Sequence, residues 1–278
     1  MAFVTGEEIT ELAVKRWATA NPPRLAELMT GLVRHLHQYV EEVGLTEEEL
    51  WTGFDWLEAA SAFKGGRREI ILASLLFGVN AKVIDSSSRC SPRTPATPPG
   101  PREVFDAPEV PFGYDISRGI DGEPLYIIGR VVDQDDEPVP NALLFAWLPD
   151  TGGLYHEQAL RGKYRTRDDG TYCIRAIVPA GYSVPLDGPV GQLLSHTAIS
   201  PWRPSHIHFL IEEKGFEKVN TELFPEGGDY VDTDAGLITK KALVVPFIEH
   251  PSGETPDGGH LDRPYRRADY DFVLQRKS

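Results

Sequence analysis

Apolar residues recur every three to four positions over roughly the first 85 residues of this chain, and from Leu125 onward they alternate with polar ones. That change of period limits the fold. A 3.6-residue repeat lays one apolar stripe along a helix, whereas a two-residue repeat lays one apolar face on a strand. With the two patterns segregated along the chain, the expected class is α+β rather than alternating βα units. The β half is cut into short runs by Gly and Pro, which favours an antiparallel sandwich or barrel. The organisation expected is a helical segment over residues 1–85, a proline-rich connecting loop over 86–124, and a β-sandwich over 125–278.

Local signals fix several boundaries. Thr5-Gly-Glu-Glu8 and Thr46-Glu-Glu-Glu49 have the form of capping boxes, each opening a helix. Between them, Asn21-Pro22-Pro23 starts a helix on which Leu25, Leu28, Leu32, Leu36, Tyr39 and Val43 form one stripe, and Gly44 stops it. Trp51, Phe54, Leu57 and Ala60 mark a third helix, and a fourth, about 67–84, is apolar on most sides and expected to be buried. His35 and His37 lie about 200° apart around the second helix and cannot share a ligand. Seven prolines fall between residues 86 and 111, in a loop long enough to border a site. Strands are expected at 125–133, 142–148, 163–167, 171–177, 206–211, 216–224, 242–247 and 269–274.

Charge and cysteine content remove several function classes. A net charge of −14 argues against nucleic acid or anionic membrane surfaces as partners. The two cysteines, Cys90 and Cys173, cannot build a disulfide framework or a Cys-x-x-Cys metal site, as expected of a cytoplasmic protein. The N-terminus lacks the basic and apolar blocks of a signal peptide. The apolar run Ile70–Ile84 is too short to span a bilayer.

The chemistry centres on Arg203-Pro-Ser-His-Ile-His-Phe-Leu210. On a strand, His206 and His208 share a face and can begin a metal site. Two tyrosines precede them in rigid turns, Tyr155 after Thr151-Gly-Gly-Leu and Tyr182 between Gly181 and Pro185. Phenolate is a hard anionic donor suited to ferric iron, and zinc sites rarely use it. A ferrous His-His-carboxylate site, with Asp229 or Glu222 as the acid, satisfies the same composition.

Five ordered motifs add specificity: Leu160-Arg-Gly-Lys-Tyr-Arg-Thr166, Asp169-Gly-Thr-Tyr172, Ile177-Val-Pro-Ala-Gly-Tyr182, Asp187-Gly-Pro189 and Arg203-Pro-Ser-His-Ile-His-Phe209. Together they resemble the intradiol ring-cleavage dioxygenases, in the branch of catechol and hydroxyquinol 1,2-dioxygenases, over nearly the whole chain. The resemblance implies Fe(III) held by Tyr155, Tyr182, His206 and His208, with Tyr182 and His208 axial, and Arg203 as a cation beside the substrate. It also implies that a catechol displaces Tyr182 on binding and that O2 attacks the ring. Because the chain is shortened after Tyr155, Tyr164 is the alternative first tyrosine. Leu72, Leu75, Leu76 and Pro101 fall where the family lines its ring pocket, and Glu222 stands where the family often has Gln or His. A substrate-side carboxylate there would repel a dianionic substrate or hydrogen-bond an extra hydroxyl. The implied reaction is hydroxyquinol to maleylacetate, with catechol to cis,cis-muconate as the alternative. A homodimer through the helices, with a lipid at that interface, follows from the same resemblance. The reading of another class is a non-catalytic β-sandwich binding module with a helical oligomerisation arm.

Overall fold

The computed structural model describes residues 5–88, 93–100 and 107–277. Cys90, Pro101 and the rest of the expected pocket loop 101–105 lie outside the described residues. Two compact units divide between Phe63 and Lys64.

The first unit contains α1 (Ile9–Trp17), α2 (Pro23–Val43) and α3 (Glu47–Ala62). Both capping boxes form. At the start of α3, Glu49 N donates to Thr46 Oγ1 at 3.3 Å and Thr46 N donates to Glu49 Oε2 at 2.9 Å. Gly44 closes α2 in the left-handed conformation, φ 63°. His37 Nδ1 meets Thr10 Oγ1 at 2.9 Å. Leu28, Leu32, Leu36 and Val43 on the α2 stripe are half exposed.

The expected fourth helix is two: α4 (Glu69–Leu76) and α5 (Val79–Ser88), bent by 65°. The break falls at Gly78, whose φ of 71° no interior helix residue adopts. Burial is one-sided: Ala73 is enclosed, while Ile71, Val79 and Val83 stay half exposed or more. Both helices belong to the second unit, so the compact helical unit ends at Phe63 rather than near residue 85. Buried Glu69 explains why: it pairs with Arg67 at 2.6 Å and accepts from Val190 N at 2.9 Å, at the start of α6 (Pro189–Leu194). No single helix among the described residues is long and apolar enough to cross a membrane.

The rest of the second unit is a sandwich of two five-stranded sheets. The first joins β1 (Pro124–Asp133), β4 (Thr171–Ile177), β10 (Ile248–His250), β13 (Tyr265–Asp269) and β14 (Phe272–Leu274). The second runs β3 (Arg161–Arg165), β2 (Leu143–Trp147), β7 (Ile207–Glu212), β8 (Val219–Pro225) and β9 (Val244–Val245). Short pairs β5 (Tyr182–Ser183) with β6 (Trp202–Arg203), and β11 (Gly253–Glu254) with β12 (His260–Leu261), complete it. Most ladders are antiparallel, as the pattern predicted. The exceptions are β1 with β13 and with β14, and β8 with β9, which run parallel. The expected strand 269–274 is interrupted at Tyr270, whose N donates to Ile128 O at 2.9 Å between the two short ladders on β1.

Leu125, Ile127 and Val131 from one sheet and Leu144, Ala146, Ile207, Phe209 and Ile211 from the other share one core. Each large apolar side chain enclosed there contributes about 1.5–3 kcal/mol. Because Ile207 and Phe209 point inward, alternation turns His206 and His208 to the outer face of their sheet.

Candidate metal centre

An outward-facing histidine would ordinarily be solvated, yet His206 and His208 are completely buried. Part of the cover comes from the proline-rich segment. Gly100 lies so close that a Cβ there would stand 2.8 Å from the His208 ring. Any other residue at 100 would displace the imidazole, so the glycine is needed for approach.

Tyr155 is brought in by a turn built on Asp150, whose Oδ1 accepts from Gly152 N at 2.8 Å and Leu154 N at 3.0 Å. Gly153 sits in this turn at φ 82°, and a Cβ on it would come within 2.7 Å of Tyr182 Cβ. The Asp150 carbonyl also accepts from Ala180 N at 3.1 Å, which ties the turn to the strand carrying Tyr182. His156 completes the brace with Nε2 2.7 Å from Asp150 Oδ2.

Three donor atoms then converge. Tyr155 Oη lies 3.2 Å from His206 Nε2 and 2.9 Å from His208 Nε2, and the two Nε2 atoms are 3.2 Å apart. His206 Nδ1 donates to Pro204 O at 2.8 Å, so Nε2 presents the lone pair. Burial, reinforced by the Arg203 cation, holds His206 well below its usual protonation range and keeps it neutral. Burial also pushes the Tyr155 hydroxyl well above the ordinary phenol range, with Tyr182 adding to the shift. The half-buried Tyr182 ring packs edge-on to Tyr155 at 5.9 Å and 5.5 Å from the His206 ring. The cluster therefore brings together the four expected ligands, two lone pairs among them facing one point. Separations of 2.9–3.2 Å between donors suit neighbouring ligands about 2.0–2.1 Å from a single ion. Phenolic oxygen beside two imidazole nitrogens makes a mixed O/N donor set able to hold a metal ion.

Glu222 also falls within reach, since His206, His208 and Glu222 offer donor atoms within 4.8 Å of one another. Its orientation argues against a ligand role. Glu222 Oε1 lies 3.3 Å from His208 Nδ1, on the ring edge away from the cluster, and Oε2 accepts from Arg203 Nη2 at 2.7 Å. Asp229 is not part of the group. Burial alone would raise the Glu222 carboxyl. Arg203, followed by the two histidines, overrides it and holds the group well below the usual carboxylate range.

Arg203 is itself buried, with Nη1 3.2 Å from His206 Nε2 and Nε donating to Asp234 Oδ1 at 3.2 Å. Asp234 was not anticipated from sequence, although Asp-Ala-Gly is a turn-forming run. Its carboxylate accepts from Gly236 N, Ile238 N and Thr239 N, at 3.1, 3.2 and 3.2 Å, closing its own loop around the guanidinium. Trp147 was also missed; its ring stacks on His208 at 4.8 Å and 8°.

The remaining expectations separate. Tyr164 does not reach the cluster: it is buried in the sandwich core and its hydroxyl donates to Tyr114 O at 2.8 Å. Tyr164→Phe is therefore expected to cost about 1 kcal/mol of stability in denaturant unfolding and to leave metal uptake unchanged. Leu72 and Leu76 pack beside Val184, Leu194 and Ala235, next to the Asp234 loop, while Leu75 turns to the main core.

Comparison with known proteins places this geometry. The family description "Dioxygenase" matches residues 115–276, and "Catechol dioxygenase N terminus" matches 22–91. Hydroxyquinol 1,2-dioxygenase of Nocardioides simplex is 36% identical over 277 residues, covering 96% of this chain and 94% of the relative. Catechol 1,2-dioxygenase of Acinetobacter baylyi is 29% identical, over 91% of this chain and 86% of the relative. The crystal structure of hydroxyquinol 1,2-dioxygenase from Pseudomonas putida DLL-E4 superposes with a TM-score of 0.91 at 35% identity, over 98% of both chains.

Proposed function

The chain belongs to the intradiol ring-cleavage dioxygenases, and from that premise we propose that it opens hydroxyquinol to maleylacetate, with both atoms of one O2 entering the product. The observation that carries this reading is the convergence of Tyr155 Oη and the two Nε2 atoms of His206 and His208, backed by a buried Arg203.

In this reading Tyr155, Tyr182, His206 and His208 hold Fe(III). A ferric ion held there would supply Lewis-acid polarisation of a chelated diol, activating its ring toward O2. The protein supplies position and charge. Enclosed Tyr155 keeps its proton until a cation arrives, so metal uptake releases that proton and tightens as pH rises. Tyr182, the less buried tyrosine, is the ligand able to leave, and its Oη takes a proton from a substrate hydroxyl. Arg203, held between Glu222 and Asp234, is a fixed cation for charge developing on the ring. Leu72 and Leu76 of α4, beside Val184 and Ala235, supply an apolar wall for that ring, whereas Leu75 faces the main core. We also read the chain as a cytoplasmic homodimer, joined through the half-exposed α2 stripe, where a lipid can lodge.

Oxygen uptake by iron-loaded protein tests the reading, with products identified by mass. One O2 per hydroxyquinol and a kcat/KM at least about tenfold above that for catechol, a difference of about 1.4 kcal/mol, are expected. Faster turnover of catechol to cis,cis-muconate would reassign the substrate. Colourless, inactive protein prepared in excess iron would sink the enzymatic reading and favour a binding module.

A further inference from the structure

The ring-opening chemistry leaves one row of side chains on the outer sheet face unexplained. Trp147, His208 and Glu222 stand directly opposite one another across β2, β7 and β8. Side chains in that relation face each other in every copy of the sheet, because strand register sets the pairing. The row therefore delivers a carboxylate to the back of one imidazole and an indole to its flat face.

Glu222 is 1% exposed, and both of its oxygens are engaged, one near His208 Nδ1 and the other on Arg203. Neither is available to a substrate hydroxyl. Nor is Glu222 placed as a ligand, since His208 turns Nδ1 toward it and Nε2 toward Tyr155. His208 Nδ1 is buried and has no hydrogen bond among the described residues; Glu222 Oε1, at 3.3 Å, is its available acceptor. Arg203 is shared by two carboxylates, Glu222 and Asp234, so the layer behind the donors carries negative charge in excess.

Resting on the ferric reading above, we propose that Glu222 is a positioning residue that acts through His208. Its carboxylate faces the Nδ1 proton, fixes Nε2 as the coordinating atom, and makes the imidazole a stronger donor to the metal. Carboxylates behind metal-bound histidines act this way generally, and losing one costs about 10–100-fold in metal affinity or activity. With the charge removed, His208 donates less, the ion becomes more electron-poor, and charge transfer from phenolate requires less energy.

The test compares holoenzymes of the wild type and Glu222→Gln, which keeps shape and removes charge. Expected are a phenolate-to-iron absorption band at longer wavelength and iron held about 10–100-fold more weakly in chelator competition. A band and an affinity that both coincide with wild type would overturn the proposal. Complete loss of iron from a folded variant would also overturn it, by making Glu222 a direct ligand. Should Glu222→Gln not fold, Glu222→Asp withdraws the charge from Nδ1 by one methylene. A band moved to longer wavelength then supports the role, and an unmoved band rejects it. Wild-type protein that shows no such band refutes the ferric reading itself, an outcome separate from any effect of the variants.

Discussion

Tyr155→Phe is expected to fold normally, to bind iron more than about 100-fold more weakly, and to show no measurable oxygen uptake with hydroxyquinol. The loss exceeds the 10–100-fold cost typical of groups behind the ligands because Tyr155 Oη is one of the converging donors, 2.9 Å and 3.2 Å from the two imidazole nitrogens. Removing it also removes the phenolic oxygen that, among the described residues, contacts both histidines, and with it the anionic donor of the proposed ferric site. The fold should tolerate the change. The Asp150 turn that positions residue 155 is built from backbone amides and His156, and the ring remains to fill its place. Metal analysis after iron loading, beside a denaturation curve of the metal-free protein, separates the two effects. A Tyr155→Phe protein with wild-type iron content would remove Tyr155 from the ligand set. Because Tyr164→Phe removes the same hydroxyl from the neighbouring candidate, the pair of variants distinguishes the two tyrosines directly.

Much of this site was legible because it depends on local pattern. Period-two alternation put His206 and His208 on one face, and Gly-rich turns marked Tyr155 and Tyr182 as fixed in direction. The capping boxes and the α2 stop at Gly44 were legible for the same reason, since each is settled within four residues. What escaped depends on register and on long-range closure. Glu222 was singled out, but its place behind His208, like that of Trp147 beside it, follows only from the alignment of β2, β7 and β8, and a shift of one residue would turn both away. Asp234 reaches Arg203 from a loop 31 residues on, and no spacing rule links the two. The bend at Gly78 was hidden by the apolar residues on either side, which continue a helical pattern that the backbone does not. Parallel pairing of β13 and β14 on β1 was invisible for a related reason: alternation reports which face is buried, not strand direction.

Arg203→Met is expected to lower kcat by about 10²–10³-fold and to destabilise the metal-free protein at neutral pH by about 3–5 kcal/mol. Met approximates the volume of the side chain but leaves Glu222 buried without its cation. Asp234 suffers less, because three backbone amides and the Thr239 hydroxyl still donate to it. Arg203→Lys should rescue little, since a single ammonium cannot reproduce the fork that meets Glu222 through Nη2 and Asp234 through Nε. The pH dependence identifies the cause. In the wild type, Arg203 depresses the Glu222 carboxyl, so its contribution is present above the ordinary carboxylate range and is lost as pH falls through and below it. In the variant, burial is the dominant influence and raises the same group. Its folded form is then protonated, and stability is highest in acid and lost as pH rises. The gap between the two proteins should thus be widest near pH 7 and shrink toward pH 4, at up to about 1.4 kcal/mol per pH unit. Urea unfolding of both metal-free proteins across that range measures it. A gap that does not change with pH would mean that Arg203 supports the fold by packing alone, with Glu222 carrying no charge for it to hold.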